Sequence, residues 1–237
     1  MKYPEIRYVS KVGKDAWLRV KLDEGGEISL PQFLKVNVTE RKASRDLFQI
    51  LEGPYKGKKG NVSAKSSTDS YMVTGVTHTA PGKVKFSLAS QKLWFGTKGP
   101  ISAFSGAFSG DGQIYTQIPK GTYKLAIPDA PHSATRAAYY AFTDYHKTWF
   151  RVGIDLSGSR FLHVGEISEG CVTVRAFPFN PAAAPTPGFE DLATLPPGAI
   201  GMPYPATPAS VGSWNDLYEY LIIARADDQS VGSLEVI

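Results

Sequence analysis

Apolar and polar residues alternate along this chain in runs too short for helices. Ile6 to Val9, Trp17 to Leu22 and Phe33 to Val38 each follow a period of two, and Gly25-Gly26 marks a turn between two of them. That period sends successive side chains to opposite faces of a pleated strand, so each run can bury one face and wet the other. Glycine at 23 and proline at 17 residues break up long helices, while 12 phenylalanines and 12 tyrosines suit sheet surfaces. The expected fold is mainly β. A chain of 237 residues can bury one large core or two small ones.

Composition and turn chemistry divide the chain near residue 82. Leu47 to Val62 reads as a strand, a turn rich in Gly, Pro and Lys (Gly53-Pro54-Tyr55-Lys56-Gly57-Lys58-Lys59-Gly60), and a second strand. The glycines permit positive φ in the turn and the lysines keep it wet. This stretch resembles the KOW motif of SH3-like barrels. The resemblance implies a small barrel, which in some proteins touches RNA and in others is purely structural. Ser63 to Ser70 has the composition of a loop and Thr79-Ala80-Pro81-Gly82 that of a linker. An SH3-like module over 1–82 and a larger domain over 83–237 follow.

The formal net charge of +4 belongs to the first part. Residues 1–82 carry 14 Lys and Arg against 9 Asp and Glu, and residues 83–237 carry 12 against 13. Five excess charges spread over a whole module make a weak electrostatic footprint. It fits anionic wall polymer, nucleic acid or a plain solvated surface, and nucleic acid is the less favoured partner. No stretch approaches the ~20 apolar residues of a membrane span. The opening Met1 to Ile6 lacks the apolar centre of a secretory signal.

The second part opens with another alternating run, Lys83 to Phe95, in which Val84, Phe86 and Leu88 share a face and Leu93 and Phe95 follow a polar turn: a hairpin. Ile101 to Gly106 comes next, then Ile118-Pro119-Lys120-Gly121-Thr122-Tyr123, where proline and glycine reverse the chain ahead of a strand. Residues 130–151 hold Tyr139, Tyr140, Phe142, Tyr145, His146, Trp149 and Phe150. Aromatics at that density serve either as core or as a lid over a substrate cleft. Phe177 to Ser210, rich in Pro and Ala, reads as a long surface loop. Trp214 to Arg225 has helical spacing with Ser213 as its N-cap, and Ser230 to Ile237 reads as a last strand.

The only cysteine, Cys171, can form no intrachain disulfide and is available for chemistry. In Arg160-Phe161-Leu162-His163-Val164-Gly165-Glu166-Ile167-Ser168-Glu169-Gly170-Cys171, one apolar strand delivers His163, and Ser-Glu-Gly-Cys leads into another. Neighbouring strands can bring an imidazole and a thiol within hydrogen-bond reach, as a Cys-His nucleophile requires. A thiol with an ordinary pKa of about 8.5 is mostly protonated at neutral pH, so an imidazole must take its proton. Gly170 allows a sharp turn that leaves backbone N–H groups free for a developing oxyanion, each worth ~3 kcal/mol. His132 and His146 are alternative bases, and a buried, purely structural Cys171 is the alternative to a nucleophile.

The order of hairpin, Pro-x-Gly-x-Tyr segment, His163 and Ser168-x-Gly170-Cys171 resembles the catalytic domain of the YkuD-like L,D-transpeptidase family, whose signature is a His followed by Ser/Thr-His-Gly-Cys. The resemblance covers about two thirds of the chain. It implies a β-sandwich with one or two helices, needing no metal and no cofactor. It also implies acyl transfer on peptidoglycan stem tetrapeptides, with Cys171 as nucleophile, His163 as base, Ser168 as the small hydroxyl residue and Gly170 as the motif glycine. Glu169 stands where many members have a second His, and the His-to-Cys spacing is shorter than usual. Thr173 occupies the place of the family's Arg or Asn two residues after the cysteine, and Arg175 comes four after it. With Gly170, Ser168, Tyr140 and His146, these form the expected oxyanion and substrate contacts. Such a substrate lies in the periplasm or cell wall. Without a visible signal, the expected routes are a shortened chain, phage delivery or injection by a contact-dependent secretion system. The competing expectations are an inactive wall-binding fold and a KOW-type nucleic-acid-binding protein.

Overall fold

Two sheets, each drawn from its own stretch of chain, carry the strands of the protein. The computed structural model describes residues 3–66, 69–106, 116–132, 143–153, 160–165, 168, 170–175 and 209–237. The first sheet uses β1 (Glu5–Val9), β2 (Trp17–Leu22), β3 (Glu27–Pro31), β4 (Lys35–Lys42), β5 (Arg45–Ile50), β6 (Lys59–Ser63) and β7 (Met72–Val73) in the order β3-β2-β6-β5-β4-β1-β7. The alternation read from the sequence sets its faces: Leu18 and Val20, Val36 and Val38, and Phe48 and Ile50 are buried, with half-buried or exposed residues between them. The KOW-like stretch is a strand, turn and strand, with β5 and β6 pairing Phe48 to Gly60, and Gly53 and Gly57 have φ of 75° and 91°.

The second sheet uses β8 (Gly82–Ser87), β9 (Lys92–Phe95), β10 (Lys98–Phe104), β11 (Gly121–Ala126), β12 (Phe150–Arg151), β13 (Phe161–Gly165), β14 (Val172–Arg175) and β15 (Ser230–Val236). Their order is β11-β15-β8-β9-β10-β14-β13-β12. The predicted hairpin is β8 and β9, in register Val84 to Phe95 and Phe86 to Leu93. The sheet curls until its edges meet: Leu125 bridges Val152, and Gly153 N–H donates to Lys124 O at 2.7 Å. The result is a mainly β protein with curled sheets, the second close to a barrel. The long Pro/Ala-rich stretch lies outside the described residues, apart from its last two.

The helix α1 spans Ala209–Ile222 and lies against β10, β14 and β15. It begins earlier than its apolar spacing suggested, so Ser213 is inside the helix and is not its N-cap. Pro208 stands directly before Ala209 in the sequence, and proline favours the start of a helix, which explains the earlier beginning. Trp214, Leu217, Tyr218, Leu221 and Ile222 form its buried face. Each such side chain contributes roughly 1.5–3 kcal/mol by leaving water.

Apolar residues of both sheets and of α1 join in one buried cluster. Polar contacts also link the two stretches of chain. Trp17 Nε1 donates to Thr148 Oγ1 at 3.1 Å, Lys147 pairs with Asp15 at 2.8 Å, and Arg225 pairs with Glu52 at 2.7 Å. Among the described residues no helix is long and apolar enough to cross a membrane.

Candidate active site

The site is built on β13 and β14, which run parallel with His163 opposite Thr173 and Leu162 opposite Val172. Parallel neighbours ordinarily need a crossover of a dozen or more residues. Here six residues carry the chain from Gly165 back to Val172. A strand advances about 3.3 Å per residue, so the return uses much of their reach. Two local features fit that tight return. Ser168, fully buried, donates its hydroxyl to Cys171 O at 2.6 Å. Gly170 takes φ of 81°, and a Cβ there would stand 3.0 Å from Thr116 O, so any other residue would be both strained and crowded.

With side chains alternating along each strand, Phe161 and His163 share a face with Thr173, and Cys171 stands directly ahead of β14. Cys171 is buried, and its Sγ accepts the Phe161 N–H at 3.3 Å. A backbone donor aimed at sulfur favours the thiolate. The His163 ring is held at both nitrogens: Nδ1 lies 3.0 Å from Val164 O, and Nε2 lies 3.1 Å from Thr173 Oγ1. A carbonyl only accepts, so Nδ1 carries the ring proton and Nε2 accepts from the Thr173 hydroxyl. Burial pushes the imidazole pKa down to about 4; the bond to Val164 O opposes this, and the charge of His132 adds to it. His163 is therefore a neutral acceptor at physiological pH. An imidazole of that basicity does not sustain a standing ion pair with a thiol of ordinary acidity. A hydroxyl can donate to neutral Nε2 and, after rotating, accept from protonated Nε2, so Thr173 can hold the ring in either state.

An aromatic wall covers this face. Trp149, half-buried, stacks on His163 at 4.3 Å between centroids and on His132 at 4.4 Å, so one indole lies between two imidazoles. Phe161 meets His132 and Trp149 edge-on. Arg151 sits over the Phe161 ring and pairs with Asp129 at 2.7 Å. His132, with Nε2 3.7 Å from Asp129, and the Arg151 guanidinium hold the Asp129 carboxyl well below the usual range. Because Trp149 stands between them, His132 faces the indole and not the His163 ring.

The other expected contacts divide. Thr173 is fully buried and serves the imidazole, and Ser168 braces the turn. Arg175 ends β14 opposite Gly165. His146 is buried, with Nδ1 2.9 Å from Thr143 O, and lines a hollow of about 340 Å³ with Lys14, Asp15, Thr143, Asp144 and Lys147. Neither His163 nor Cys171 lines that hollow. Tyr140 and Glu169 lie outside the described residues. Of the aromatic run, Tyr145 is core, stacked on Tyr218 at 3.7 Å, and Phe150 packs near Trp214. Trp149, one of the aromatics expected as core or lid, lies beside His163, and Phe161, Asp129 and Arg151 join it although none of these three was singled out. Phe161 could have been found, because it stands two residues before His163 and so shares its face. Among the described residues no three His, Cys, Asp or Glu side chains converge as metal ligands.

The arrangement gathers a buried thiol, a hydroxyl and a neutral imidazole at the adjoining ends of two parallel strands. Comparison with protein-family models, curated proteins and solved structures finds no match.

Proposed function

We propose that the chain is a cysteine acyltransferase of the L,D-transpeptidase kind, acting on peptidoglycan stem tetrapeptides. Residues 83–237 form a sandwich-type catalytic part, and residues 1–82 an SH3-like module for wall attachment or loading. One observation carries this reading: β13 and β14 run parallel with His163 opposite Thr173, and Cys171, directly ahead of β14, accepts the Phe161 N–H on its sulfur two residues from His163. Cys171 loses its proton toward His163 and attacks the amide carbonyl. The C–N bond breaks, the amine departs with that proton, and a thioester remains. Water then gives hydrolysis, and an amine gives a cross-link or an exchanged residue. The substrate lies in the periplasm or wall, reached by phage delivery, a secretion system or a longer form of this chain.

Digestion of purified sacculi tests the proposal, with muropeptides identified by mass. Wild type should convert tetrapeptides to tripeptides, exchanged or cross-linked products, and Cys171→Ala should convert none. Equal conversion by both proteins, or none by either, overturns it. Retention of the fold without activity is the alternative, favoured by the low basicity of His163 and by the Thr173 hydroxyl on its Nε2. A carbapenem adduct on Cys171 would exclude that alternative.

A further inference from the structure

Among the arginines whose side chains the structure describes, all but one have a polar partner. Arg7, Arg19, Arg41, Arg151 and Arg225 pair with carboxylates, and Arg45 bonds Asn61 and Ser63. Arg160 differs: among the described residues its guanidinium has neither an ion pair nor a hydrogen bond, although the side chain is half-buried. Its place is specific. Arg160 O accepts the Val152 N–H at 2.9 Å, which ties the backbone to the strand end ahead of β13. Its Nε lies 3.5 Å from the point where a Cβ on Gly170 would stand. The Arg160 side chain therefore lies alongside Gly170, within van der Waals contact of the place where a Cβ would stand and one residue before Cys171.

A guanidinium partly removed from water keeps its charge and presents a rigid fork of donors, which a planar carboxylate fills with two parallel bonds. In the proposed reaction a chain-terminal leaving residue carries such a group, with its carboxylate carbon two bonds beyond the scissile nitrogen. We infer that Arg160 is a specificity-determining residue that binds the free α-carboxylate of the leaving residue, restricting the site to chain-terminal residues. This rests on the acyl-transfer reading for its biological meaning, but carboxylate binding can be measured without turnover.

The test uses the full chain carrying Cys171→Ala and titrates N-acetyl-D-alanine and its neutral amide, followed by NMR shifts of backbone amides. The acid should saturate and the amide should bind at least tenfold more weakly. Adding Arg160→Gln should erase that difference, and adding Arg160→Lys should restore part of it. Equal binding of acid and amide, or an acid preference that survives Arg160→Gln, overturns the inference. Backbone amide spectra of each variant show whether the fold is kept, so a general loss of structure is not mistaken for loss of the contact. Sacculus digestion reports separately on Cys171. Muropeptide conversion without an acid preference sinks the role of Arg160 alone, and an acid preference without conversion sinks the acyl-transfer reading alone.

Discussion

The two sheets bury polar groups in opposite ways. Within the first, Asp46 is fully buried and ionised. Arg41 grips both carboxylate oxygens at 2.6 and 3.0 Å, and Ser70 donates to one of them. Burial raises the pKa of Asp46, yet the Arg41 and Ser70 bonds and the charges of Arg41 and Arg7 hold it below its ordinary value. In the second sheet, His163, Thr173, Ser168 and Cys171 are buried around a neutral ring. A pinned charge stabilises a fold and resists change. A neutral cluster of thiol, hydroxyl and imidazole leaves a proton able to move between atoms, which chemistry requires.

The sharpest way to break this contrast is Asp46→Ala, which leaves Arg41 facing an empty space. Breaking a buried pair from one side costs about 3–5 kcal/mol. Urea denaturation should therefore show a large drop in midpoint, and a change below 1 kcal/mol would mean that the cluster is ornamental.

The neutral ring predicts a somewhat smaller effect of opposite character. His163 titrates near 4 when folded and near 6.5 when unfolded. Between those values the unfolded chain binds the extra proton, so stability is retained above about pH 6.5 and lost as pH falls toward 4, by up to roughly 3 kcal/mol. His78 is also lowered, first by burial and then by Arg225, so the diagnostic quantity is the difference between wild type and His163→Gln. That variant should lose much of the pH slope measured by urea midpoints, and an identical slope in both proteins contradicts a buried neutral imidazole. The smallest effect belongs to Gly170→Ala. A left-handed conformation costs an L-residue about 1–2 kcal/mol, and Thr116 O must also give way. Hydrogen exchange of the Phe161 amide should quicken with the loss in stability, because the turn that positions Sγ is disturbed. Unchanged exchange would show that the return loop does not set the sulfur.

The mainly β class was legible because period-two runs such as Val84, Phe86 and Leu88 need only local pattern. The hairpin turn and the KOW-like strand, turn and strand were legible for the same reason. The helix start was not: Ser213 is good cap chemistry, but the residues from Ala209 onward continue the helix, and a local preference yields to tertiary packing. At the site, the sequence named His163 and Cys171 and put them on neighbouring strands. It could not show that Thr173 would face the imidazole, because that depends on a parallel register with a six-residue return. For Trp149 it left core and lid both open, and it gave Arg160 no role, because the positions of both follow from how distant segments close over the sheet.

That closure has a further consequence. The strand bearing His163 and the strand that Cys171 leads into are both interior, flanked by β12 and by β10, and Leu125 bridges Val152 just past β12. Among the described residues, neither β13 nor β14 therefore offers a free row of amides and carbonyls for a further strand. On the proposed reading, a peptide meets the sulfur without strand pairing and is held by side chains such as those of Trp149, Phe161 and Arg160. Backbone zippering discriminates strongly between left- and right-handed residues, whereas side-chain grip does not demand a uniform main chain. On the proposed reading, a ligand whose residues switch handedness meets no strand ladder here that would select against it.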